Sequence, residues 1–73
     1  MSNQRNVQPI IGMQGAVEKE LAPSGYVKVH GELWQAELIG GNTPVKRGEK
    51  VEVKEIRGLT LLVEDLAKSE EEI

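Results

Sequence analysis

Few residues of this 73-residue chain could do chemistry, and their spacing works against it. His30 is the only histidine, and it ends the alternating run Tyr26-Val27-Lys28-Val29-His30 on the outward parity. A catalytic triad or a metal centre would need partners beside it, yet the chain has no cysteine and no second histidine. The carboxylates Glu18/Glu20 and Glu52/Glu55 could suggest acid–base work, and Glu18 and Glu20, two apart on a strand, do share a face. Their neighbours are not the apolar shell that a catalytic carboxylate requires, so they read as a solvated strand face. Ser24 and Ser69 fall in a turn and in a tail without a neighbouring base, so neither is activated as a nucleophile. Gly12-Met13-Gln14-Gly15 is not a phosphate cradle, because no strand precedes it and no helix follows. Its glycines read instead as a bend or bulge entering a tightly curved strand. No catalytic, cofactor-binding or metal-ligating residue is assigned, and no cofactor or small-molecule substrate is expected.

Binding is the function class that remains. Lys46, Arg47, Lys50, Lys54 and Arg57 lie close together in sequence, and they support an oligonucleotide-binding domain as the alternative reading. A single-strand platform also needs aromatic rings on which successive bases stack. The chain offers only Tyr26 and Trp34, with Trp34 on the inward parity, and its net charge is −3. Both facts count against nucleic acid as the ligand. The charge is unevenly placed: residues 64–73 carry five acids and one lysine, and they supply the whole negative excess. Such an end is expected to be a solvated, flexible tail. A biotinyl or lipoyl carrier would need a lysine in a Met-Lys-Met or Asp-Lys-Ala setting, and no lysine here has one. No run approaches the roughly 18–20 apolar residues of a membrane span. The polar start carries no signal-peptide pattern, so the fragment itself is expected to be soluble.

The elements that must position these groups are short strands. Pro23-Ser24-Gly25, Gly31, Lys46-Arg47-Gly48 and Gly58 punctuate the chain at turn-forming positions, with a longer loop over Gly40–Pro44. Between them, alternation predicts strands over about 15–22, 26–30, 32–39, 50–56 and 59–63. The inward set is Val17, Leu21, Val27, Val29, Trp34, Ala36, Val51, Val53, Leu61 and Val63, with Leu38 sharing the face of Trp34. Five strands are too few for a sandwich, and a small all-β, five-stranded OB-like barrel fits better. Residues 1–9 read as a flexible linker, 10–64 as the barrel and 65–73 as the acidic tail, in which any helix would fray because its acids sit at the negative end of the dipole. With no Phe and no disulfide, the core must come from eight Val, seven Leu and five Ile.

The ordered glycines and valines resemble the C-terminal soluble domain of the NfeD family. The matching residues are Gly12, Gly15 and Val17, then Leu21, Pro23, Gly25 and Val27, then Gly31, Glu32 and Ala36. Val45, Gly48, Val51, Val53, Gly58, Leu59, Leu61 and Val63 follow in order, so the match covers about residues 10–64. Lys19 departs from the threonine often found there, and the Gly40–Pro44 loop has its own length. The resemblance implies an OB-like barrel with a non-catalytic role, attached to a membrane through helices of a parent protein. It also implies a stomatin- or prohibitin-type membrane protein as partner, and a serine protease domain only in long forms of the family. On that reading this chain is an excised domain that works in membrane organisation or in regulation of a membrane protease. Its partner contacts would use apolar groups that alternation leaves outward, namely Tyr26, Leu33 and Leu62.

Overall fold

A computed structural model describes residues 10–40 and 43–67 of the chain. They form five strands: β1 (Gln14–Lys19), β2 (Ser24–Val29), β3 (Glu32–Leu38), β4 (Lys50–Arg57) and β5 (Thr60–Asp65). The strands close into a barrel in the order β1-β2-β3-β5-β4, antiparallel throughout except for the parallel β3–β5 pair. This is the five-stranded OB-like architecture expected from alternation and turn spacing. Of the expected flexible tails over 1–9 and 65–73, residues 1–9 and 68–73 lie outside the described residues, while Asp65 ends β5.

Two of the turns follow from backbone chemistry. The β2–β3 hairpin turns through His30 and Gly31, with φ of 54° and 77°, between the paired Val29 and Glu32. Positive φ at both central residues matches the right-handed twist of the flanking strands. His30 is therefore an exposed turn residue; it does not lie on a strand face, as its parity had predicted. The β4–β5 hairpin turns at Gly58, φ 63°, so β5 begins at Thr60 and Leu59 stands at the turn instead of within the strand.

Curvature comes from bulges and missing side chains. The register shifts between Val17 and Lys19 on β1, and again between Val53 and Glu55 on β4, which bends both strands around the core. A Cβ on Gly25 would collide with the carbonyl oxygens of Lys19 and Glu20. A Cβ on Gly15 would lie 2.7 Å from Cγ2 of Val29 and 2.8 Å from the Lys28 carbonyl oxygen. Strands can approach this closely only where the side chain is absent.

The interior contains Val17, Leu21, Val27, Val29, Ala36, Val51, Val53, Leu61 and Val63, all buried as their parity requires. Trp34 is the exception: it is half-buried and packs against this cluster from the end of the barrel. Its ring is too large for an interior otherwise filled by Val, Leu and Ala, and its Nε1 is buried without a hydrogen-bond partner. Leu38 and Val45 join the core. Val45 is held there by reciprocal backbone hydrogen bonds with Leu21, of 2.9 and 3.1 Å. Leu21 thus lies beyond the end of β1, in an isolated bridge. Beyond β5, the Asp65 carboxylate accepts a 3.0 Å hydrogen bond from the Ala67 N–H and caps a helical turn that starts at Leu66.

Candidate partner-binding face

Pairing of β2, β3 and β5 creates one continuous outer face. Tyr26 stands opposite Gln35, and Gln35 opposite Thr60 on β5. The bulge on β1 brings Lys19 opposite Tyr26 on the other side. This row walls a shallow groove of about 380 Å³ that runs over Gly25 and Ala36, with Lys19 and Glu37 among its lining residues. The two small residues explain the depression: they point into the barrel and leave only backbone between Tyr26 and Glu37. Thr60 Oγ1 donates to Gln35 Oε1 along this wall at 3.4 Å. The groove thus offers the Tyr26 ring, the amphiprotic side chains of Ser24, Gln35 and Thr60, and one charge of each sign.

The three residues expected to contact a partner fare differently. Tyr26 is 36% exposed within the groove wall. Leu33, opposite Lys28, is 59% exposed on the same outer face, one row further along. Leu62 also belongs to that face by register, but it is only 4% exposed. The expectation that Leu62 stands outward and accessible is therefore corrected. β5 is paired on both sides, and the register sets Leu62 between Glu37 of β3 and Glu55 of β4. Alternation gives the face of a residue; it does not report what stands beside it.

The charged groups are dispersed. Lys54 lies 3.8 Å from Glu52 and 3.5 Å from Glu64, in an exposed cluster of the kind that adds little stability. Lys46, Arg47 and Lys50 sit at one end of the barrel and Arg57 at the other. The eight-residue length of β4 separates them by about 24 Å, at about 3.4 Å per residue. Glu49, Glu52 and Glu55 interrupt the basic series, which is contiguous only in sequence. Among the described residues no three His, Asp or Glu side chains converge in a way that could hold a metal ion.

Sequence reasoning missed the groove itself, because Lys19 reaches it through the β1 bulge and Thr60 through the parallel β3–β5 pairing, neither of which is local. It also missed the exposure of Ile11, Ile56 and Leu59. The Arg57-Gly58-Leu59-Thr60 turn carried a signal for the last of these, since a residue following a hairpin glycine is often at the tip.

Comparison with known proteins agrees with this geometry. Residues 7–64 match the family model described as the NfeD-like C-terminal, partner-binding domain. Over 56 residues the chain is 46% identical to the membrane-bound protease PH1510 of Pyrococcus horikoshii; this covers 77% of the chain but only 12% of that protein's length. The solved C-terminal domain of the stomatin operon partner protein 1510-C from Pyrococcus horikoshii superposes with a TM-score of 0.75 at 43% identity, covering 80% of this chain and 89% of that one. A soluble domain of a membrane protein implicated in regulation of membrane protease activity, from Corynebacterium glutamicum, gives 0.70 at 30% identity over 77% and 90% of the two chains.

Proposed function

The chain belongs to the family of NfeD-like C-terminal, partner-binding domains, and from that premise we propose that it is the non-catalytic interaction module of an NfeD-like membrane protein. Its partner is a stomatin- or prohibitin-type membrane protein, and the complex acts in membrane organisation or in regulation of a membrane protease. The observation that carries this reading is the outer face of β2, β3 and β5, where Tyr26 borders a groove and Leu33 stands exposed beside it. A partner segment laid in the groove would bury the Tyr26 ring and pair with Gln35 and Thr60. Tyrosine is among the residue types favoured as interface anchors, because it brings a large apolar ring and a hydroxyl with little flexibility to lose.

The relatives' names support the same direction, since one is a stomatin operon partner and another is implicated in regulation of membrane protease activity. Proteolysis is not part of the proposal, because the chain spans only 12% of the protease that it resembles. The parent's attachment to a membrane is part of it. Pull-down of a stomatin-type protein from the same source by the immobilised domain tests the reading. Retention by the wild type and loss with Tyr26→Ala support it. Retention of single-stranded oligonucleotide that falls steeply as salt rises would favour the alternative, because phosphate contacts release counterions.

A further inference from the structure

Four of the five large apolar side chains exposed among the described residues collect at one end of the barrel: Ile11, Leu33, Ile56 and Leu59. The topology brings them together. Residues 10–13 lead into β1 there, and Gly12 and Met13 bond to the backbone of Val53. The His30-Gly31 turn, the first residues of β3 and the Gly58-Leu59 turn close the same end. Leu59 is the most exposed of them, at 82%, and the half-buried Trp34 stands on β3 one residue before the Gln35–Thr60 pairing. The Tyr26 groove is lined by none of the four.

We propose that this end of the barrel rests on a lipid bilayer, with Leu59 and Ile11 entering the headgroup region and Trp34 at the boundary. The inference rests on the membrane-protein reading above. Protruding turn residues offer no concave surface to a folded partner, whereas a fluid acyl boundary needs none. Charge permits the approach: the acids of this end, Glu32 and Glu55, are matched by Lys28 and Arg57. The chain's negative excess starts at the opposite end, with Glu64 and Asp65. Arg57 directly precedes the turn and forms no ion pair among the described residues, so its guanidinium is available to lipid phosphate. The chain also enters the barrel here, through Ile10 and Ile11, so a membrane tether before residue 10 would hold this end toward the bilayer.

The single tryptophan makes the test direct. The full chain is coupled through its N-terminus to vesicles of phosphatidylcholine and phosphatidylglycerol, which supplies the high effective concentration of a tethered domain. Trp34 emission is then read with brominated acyl chains. The expected result is quenching and a blue shift in the wild type. Both should be lost in Leu59→Asp, reduced in Arg57→Glu, and unchanged in Tyr26→Ala. Absence of quenching in the coupled wild type, or quenching indifferent to Leu59→Asp, overturns the inference. So does self-association that Leu59→Asp abolishes, or a stomatin-type protein that shifts the amides of residues 56–59 when vesicles do not. Lost quenching with partner binding intact removes this inference alone, and the converse removes the reading on which it rests.

Discussion

Tyr26 on β2 stands directly opposite Gln35 on β3, and together they border a groove whose floor is the paired backbone of Gly25 and Ala36. The phenol ring can be removed without opening the interior, because Tyr26 is on the outer face. Tyr26→Ala should therefore weaken partner binding by roughly tenfold or more, in the range of about 1–2 kcal/mol or above for an anchor residue. Its denaturant midpoint should move little. Equal losses of binding and stability would mean that Tyr26 supports the fold instead.

Leu62 should behave in the opposite way. Buried between Glu37 and Glu55, it cannot accept a charge at low cost, so Leu62→Glu should destabilise by roughly 2 kcal/mol or more. Urea unfolding of the purified variant checks this. An unchanged midpoint would return Leu62 to the accessible surface that its parity suggested.

Gly25 should be the least replaceable glycine. Any Cβ there meets the Lys19 and Glu20 carbonyl oxygens, which belong to backbone and cannot rotate away. Gly25→Val should cost about 3 kcal/mol or prevent folding. Gly31 has open space around its Cα and φ of 77°, so Gly31→Ala should cost only the left-handed penalty of about 1–2 kcal/mol. Thermal melts of the two variants would separate steric collision from backbone strain.

In the core, Val53→Ala should cost roughly 1–3 kcal/mol through lost burial and the cavity that it leaves. Val45→Ala should cost a similar amount, although Val45 stands outside every strand, because it is fully buried in the same cluster. A midpoint for Val45→Ala close to that of the wild type would show that the Leu21–Val45 bridge is dispensable.

Most of the barrel could be read from the chain because its instructions are local. Strict alternation in Tyr26–Val29 and Lys50–Val53 assigns faces, and Gly31 and Gly58 place two hairpins where the backbone takes positive φ. What escaped reading was non-local. The bulge beyond Val53 shifts the register, so Ile56 pairs with Leu61 on the inner parity yet remains exposed at the barrel's end. Val45 looked isolated because its partner, Leu21, is more than twenty residues away. Trp34 was placed inward correctly, but the size of its ring against an interior of valines keeps it half-exposed. The partner face was legible only in part: Tyr26 and Leu33 lie outward, while the ladders on both sides of β5 enclose Leu62.

The most direct test of the interaction reading is a titration of the isotope-labelled domain with a stomatin-type protein from the same source, followed amide by amide. The account predicts shifts that concentrate on Gly25, Tyr26, Leu33, Gln35 and Thr60, and that vanish in Tyr26→Ala. Shifts confined to the Lys46–Lys50 turn, or none on β2 and β3 at saturating partner, would contradict it.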